Sequence, residues 1–144
     1  MRSFILRRVP VALSLVAALA LGACQAGASP SLLASGAQPP PECARVENGV
    51  INLSAENLEF SAPCMVANAG EAFTIHFENL EAVPHDVAVF QDSSKANEIM
   101  RGEAITGPEA TADYEVEALT VGQYYFECTI HPQDMNGTLY VVEA

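Results

Sequence analysis

Basic side chains are scarce in this chain, with six Lys and Arg against 18 Asp and Glu and a net charge of −12. That scarcity excludes nucleic acid as a partner, because phosphate binding needs clustered Lys and Arg. Histidine is scarcer still. There are three, with no His-x-His pair, too few for an enzyme built on several imidazole-bound metals. A helical stripe is missing beyond residue 30, although Ser94–Arg101 could form one short turn of helix. Long apolar runs are missing as well. Val11–Leu21 is the one candidate, and it is too short to span a bilayer as a stable anchor.

That run belongs to an address. Arg2, Arg7 and Arg8 precede it, so residues 1–23 read as an export signal. Leu21-Gly22-Ala23-Cys24 resembles the bacterial lipobox, which implies that Cys24 receives a diacylglyceryl group and becomes the new N-terminus. The alternative is an ordinary secretory signal with Cys24 incidental. Two or more acyl chains anchor stably where one does not, so the resemblance implies a cell-envelope protein, lipid-anchored on the periplasmic or extracellular side. Residues 24–41 are small, uncharged and Pro-rich after the cysteine, the composition of a tether reaching on the order of 20 Å. Residues 42–144 suffice for one core and not for two domains. Once the signal is removed, Arg45, Lys95 and Arg101 face all 18 acids, an excess of about −15. Such a surface is either simply solvated or an acidic face that steers a basic partner.

Strand signals dominate the remainder. Ala72–Glu78 alternates, with Phe73, Ile75 and Phe77 on one face and Thr74, His76 and Glu78 on the other. Val50–Leu53, Leu58–Phe60, Val87–Phe90, Ala112–Ala118, Gln123–Cys128 and Thr138–Glu143 complete a set separated by Asn, Gly and Pro. This pattern predicts an all-β, Greek-key β-sandwich of about seven to eight strands. Leu119–Tyr124 resembles a tyrosine corner, and the period-2 rule then puts Tyr124, Phe126 and Cys128 on one inward face.

Cys128-Thr129-Ile130-His131-Pro132-Gln133-Asp134-Met135 concentrates a thiol, an imidazole and a thioether on one loop between strands. Soft sulfur with imidazole suits copper, and a His₂Cys set with a distant Met is the pattern of an electron-transfer copper site. Pro84-His85-Asp86 offers the second histidine. Together His85, Cys128, His131 and Met135 resemble the type 1 copper site of the cupredoxins, the family of plastocyanin and amicyanin. The resemblance covers roughly residues 50–144. It implies one copper ion cycling between Cu(I) and Cu(II), no enzymatic activity, and a monomer that meets redox protein partners through a basic docking face of theirs. A copper-handling protein that delivers metal to an envelope oxidase is the alternative, since it could use the same four ligands.

Three residues separate His131 from Met135, against two in amicyanin-like and four in plastocyanin-like loops. Gln133 or a backbone carbonyl is therefore the alternative axial donor, and Gly137 is expected to let the chain turn into the last strand. Asp86 stands where many cupredoxins carry Asn, a residue that ties the His loop to the residue after the Cys, here Thr129. Pro132 has no N–H and cannot donate to the Cys128 sulfur. With Cys24 assigned to lipid and Cys128 to metal, Cys43 and Cys64 remain as a disulfide pair suited to an oxidising compartment. Two free thiols, or a second metal site using Cys64 and Met65, are the alternatives. His76 reads as a solvated surface histidine, and Met100 shows no ligand spacing.

Overall fold

Alternating apolar positions give each strand one face to bury, and two sheets close over those faces. The computed structural model describes residues 38–144, so the expected signal, the lipidated Cys24 and most of the tether lie outside the described residues. The strands are β1 (Ala44–Arg45), β2 (Val50–Glu56), β3 (Glu59–Phe60), β4 (Cys64–Asn68), β5 (Phe73–Asn79), β6 (Ala88–Phe90), β7 (Glu98–Arg101), β8 (Ala110–Val116), β9 (Gly122–Glu127) and β10 (Asn136–Val142). A six-stranded sheet runs β1-β4-β10-β9-β6-β7 and packs on a four-stranded sheet ordered β3-β2-β5-β8.

The all-β sandwich agrees with the sequence pattern, with ten strands where seven to eight were expected. Three are new. β1 has only two residues and so no period to detect, while β4 is buried at four successive positions and shows no alternation. β7 replaces the expected helical turn at Ser94–Arg101, because pairing with β6 (Val89 opposite Met100, Ala88 opposite Arg101) satisfies its backbone.

Between the sheets, Ile51, Leu53, Phe73, Ile75 and Phe77 meet Met65, Val89, Phe126, Leu139 and Val141. Each large side chain fully withdrawn from water contributes about 1.5–3 kcal/mol. Tyr124, Phe126 and Cys128 all point inward and are buried. The Tyr124 hydroxyl donates to the Thr120 carbonyl at 2.9 Å, which closes the corner at the entry to β9. Gly137 has a different role from the one expected. Its φ is not in the left-handed region, but a Cβ there would lie 2.4 Å from the Pro63 carbonyl oxygen and 2.5 Å from the Phe126 ring. It is glycine because β10 must approach its neighbours closely at that point.

Cys43 and Cys64 form a disulfide that closes 21 residues of chain. With Val66, Tyr140 and Val142 it builds a second apolar cluster, separate from the main core. Next to it Ala44 pairs with Met65 between β1 and β4, so strand pairing also holds the entry segment. Replacing both cysteines by Ala should lower the unfolding free energy by about 3 kcal/mol, the loop-closure value for this length. Urea unfolding measures it, and a loss below about 0.5 kcal/mol would show that strand pairing alone holds the entry segment.

Candidate metal centre

Two loops at one end of the sandwich carry the donor groups. The first leads into β6. His85 exchanges backbone hydrogen bonds with Ile105, at 3.1 Å for its own N–H and 2.9 Å for that of Ile105. Its approach is shaped by Asn79, a fully buried residue at the end of β5. The Asn79 amide donates to the carbonyls of Val83 (2.8 Å) and Ile105 (2.9 Å), and its oxygen accepts from the N–H of Glu81 at 2.8 Å. One side chain thus takes up the backbone groups that a non-repetitive loop leaves open.

The second loop runs from Cys128 to Met135, between β9 and β10. Its ends are joined by the Cys128 N–H to the Met135 carbonyl at 2.9 Å. Within it the Met135 N–H donates to the His131 carbonyl at 3.0 Å, the i to i+4 bond of a single helical turn. Four positions of spacing therefore bring Met135 round to the side of His131. Met135 is fully buried. Pro132 is half-buried within this turn, and its carbonyl accepts from the Asn136 side chain at 3.1 Å.

Asp86 joins the two loops. One carboxylate oxygen accepts from the Thr129 backbone N–H at 2.6 Å and the other from the Thr129 hydroxyl. Held this way, the Cys128 sulfur lies 3.8 Å from His85 Nδ1 and 3.8 Å from His131 Nδ1, and the two nitrogens are 3.2 Å apart. Protein bonds from a metal to imidazole nitrogen and thiolate sulfur run about 2.0 and 2.3 Å, and at trigonal angles such bonds separate nitrogen from sulfur by about 3.8 Å. The three donors fit a metal ion at their centre. Soft thiolate with imidazole suits copper, zinc or iron and not a hard cation such as magnesium.

Electrostatics keep the histidine ready and the thiol protonated. Burial, reinforced by repulsion from His131, holds His85 below its ordinary pKa against the opposing pull of Glu81 and Asp86. Its ring is accordingly neutral, which is the form that binds metal. Burial pushes the Cys128 thiol up, and backbone N–H groups of Asp86, Ile130 and His131 act in the opposite direction. A bound cation would remove that proton. His85 Nε2 is buried and has no hydrogen-bond partner among the described residues. Glu81 Oε1 lies 3.3 Å away.

Of the other residues singled out in the sequence, Cys43 and Cys64 are bonded to each other, so neither thiol is free for a second metal site. His76 pairs with Asp113 at 2.6 Å on the exposed face of β5 and β8. Met65 packs in the core and Met100 against it. Sequence reasoning missed Asn79 and Glu81. An Asn at a strand end just before a loop is a turn signal that could have found the first. On the two ligand-bearing loops Val83 (40%), Ile130 (42%) and Pro84 are exposed, as are the polar Gln133 and Asp134.

A sequence model of the family described as the Cupredoxin-like domain matches residues 12–141. No curated protein matches the chain by sequence. Among solved structures, the chain is similar to auracyanin from the photosynthetic bacterium Roseiflexus castenholzii, with 18% identity and a TM-score of 0.59 over 67% of this chain and 99% of that one. Auracyanin A of Chloroflexus aurantiacus, described as a blue copper protein, is similar at 21% identity and a TM-score of 0.58, over 68% and 99%. Amicyanin from Paracoccus versutus shares 29% identity at a TM-score of 0.50, over 67% of this chain and 85% of its own. The family match spans most of the chain and includes both ligand-bearing loops, and the chain belongs to the cupredoxin-like family.

Proposed function

We propose that this protein is a type 1 blue copper protein that carries single electrons between redox partners in the cell envelope. The observation that supports this most directly is the buried convergence of the Cys128 sulfur with the Nδ1 atoms of His85 and His131. Bound there, copper would supply one-electron chemistry by alternating between Cu(I) and Cu(II). Cys128 would act as the strong thiolate ligand, His85 and His131 as neutral imidazoles, and Met135 as the weak axial donor.

The chain's own contribution is stiffness. His85 is pinned to Ile105, Cys128 to Met135, and the two loops to each other through Asp86 and Thr129. Ligands held by backbone bonds move little when the metal charge changes, which suits rapid one-electron exchange. Four protein ligands leave no open position for water or substrate, so the site is a carrier and not a catalyst. Delivery of copper calls for an exchangeable, low-coordinate site, and full burial of His85, Cys128 and Met135 favours retention. Asp86 places a carboxylate next to the centre, and it should lower the potential relative to an Asn at that position.

His131 is the ligand that reaches the surface, between exposed Ile130 and half-buried Pro132. An apolar rim of this kind permits close, short-lived docking. Lipid attachment at Cys24 would hold the protein at a membrane by a flexible tether, and the acidic surface would orient a basic redox partner.

Cys128→Ser should keep the fold and lose the intense visible thiolate-to-copper band, because hydroxyl is a poor ligand for this metal. Met135→Gln should keep the band and lower the reduction potential, since a harder oxygen donor favours Cu(II). A tenfold change in that preference is about 59 mV for one electron, and a fall of at least this size is expected. Voltammetry that finds no shift would remove Met135 from the ligand set. Pro132→Glu should leave the spectrum unchanged and slow reduction by a protein donor through loss of the apolar contact, while the rates of both proteins fall as salt screens the attraction between the acidic surface and a basic donor. Stopped-flow rates equal to wild type at every salt concentration would discard the docking surface.

A further inference from the structure

Among the described residues two carboxylates are buried, Asp86 and Glu127, and each is the sequence neighbour of a metal ligand. Asp86 ties the two loops together. Glu127 takes no part in that joint. It ends β9, one residue before Cys128, and strand alternation puts its side chain on the outer face of the six-stranded sheet. Its register partners are Ala88 on β6 and Asn136 on β10. Ala88 begins the strand that follows His85, and Asn136 directly follows Met135. The row Ala88, Glu127, Asn136 is therefore the rung of the sheet from which the ligand-bearing segments leave.

The charge of Glu127 is met from a distant turn by the chain's single lysine. The Lys95 ammonium donates to both carboxylate oxygens, at 3.1 and 3.3 Å, and the Tyr125 hydroxyl donates to Oε2 at 3.1 Å. Burial and this bond hold Tyr125 above its ordinary pKa, so the hydroxyl stays a donor. Lys95 reaches in from the turn between β6 and β7 with left-handed backbone, φ 59°, which side chains other than Gly, Asn and Asp rarely adopt. Strain of this kind persists where the surroundings over-determine it. Here the Lys95 N–H donates to the Asp92 carbonyl at 3.1 Å, the Ser94 N–H to Asp92 Oδ1 at 2.8 Å and the Gln91 N–H to the Asn97 carbonyl at 2.9 Å. We propose that Glu127, latched by Lys95 and Tyr125, is a positioning residue that fixes the end of β9 and so holds Cys128 from the residue before it, as Asp86 does through the residue after it.

A buried ion pair is weak grounds for stability, because desolvation offsets much of the attraction. Position distinguishes this one. The purpose of the latch rests on the copper reading: a thiolate that shifts little between Cu(I) and Cu(II) exchanges electrons quickly. Its geometry belongs to the protein alone. Groups that orient a metal ligand from outside the donor set are typically worth about 10–100-fold in affinity or activity.

The test compares the full chain as wild type, Lys95→Met, Lys95→Arg and the double variant Lys95→Met/Glu127→Leu. The double variant leaves no buried charge unpaired, so its thermal midpoint should stay close to wild type. Two quantities are read. The first is hydrogen exchange in the metal-free protein, at the Cys128 amide, which is bonded to the Met135 carbonyl, and at the amides of β5 in the other sheet. The second is the electron self-exchange rate of the copper-loaded protein. Lys95→Met and the double variant should speed Cys128 exchange about fivefold or more, the worth of one hydrogen bond, with β5 unchanged. Their self-exchange should be slower by about tenfold or more. Lys95→Arg keeps the cation and should stay within roughly threefold of wild type in both. A double variant with wild-type Cys128 exchange and wild-type self-exchange would overturn the proposal, since the pair would then be a structural tie only. So would β5 amides that speed in step with Cys128, or an Arg variant as impaired as Met. If the double variant does not fold, Lys95→Met is read in the same way and decides. A wild type without the blue band would sink the copper reading, and the metal-free exchange would still decide the latch.

Discussion

Asp86 accepts from the backbone N–H and from the hydroxyl of Thr129, and through this pair of bonds the histidine loop and the cysteine loop become one body. Hydrogen bonds to a charged acceptor contribute about 1.5–3 kcal/mol each, more than neutral ones. The location matters as much as the strength. Asp86 follows His85 and Thr129 follows Cys128, so the two ligands cannot separate without breaking the joint. Its carboxylate is nearly fully buried, which makes a broken joint costly.

The sandwich supplies the other half of the constraint. β9 delivers Cys128 inward by strand alternation, and β6 continues from His85 in the same sheet as its antiparallel neighbour. Two ligands from adjacent strand ends need only short loops to meet. The single helical turn after His131 then returns Met135 to the same region and hands the chain to β10. The centre is therefore built at an end of the sheet, where side chains emerge from a packed core and one ligand, His131, can reach solvent. Electron transfer needs both properties at once: a shielded thiolate and an exposed edge.

Much of this was readable in the residues. Strand alternation gave the sandwich and the inward face of Tyr124, Phe126 and Cys128, because period 2 is a local property of the chain. The Cys-x-x-His spacing with a downstream Met and an upstream His pointed to the donor set, since metal chemistry restricts residue types strongly. The missing parts depend on tertiary partners. β7 became a strand only because β6 offered an edge, and β1 and β4 form a parallel pair that no alternation announces. Glu81 is one of 18 acids, and nothing local separates it from the others. Its contacts, with the Leu58 N–H and beside His85, exist only in the folded chain. Gly137 was noticed for the wrong reason, as its constraint comes from Pro63 and Phe126 and not from its own φ.

The central claim is that Cys128, His85 and His131 would hold one copper ion, with Cys128 as its thiolate ligand. The visible absorption spectrum of the full chain loaded with one equivalent of Cu(II) tests it most directly. The account predicts an intense blue charge-transfer band that bleaches on reduction and returns on reoxidation. A weak ligand-field band alone, as nitrogen and oxygen ligands give, would contradict it.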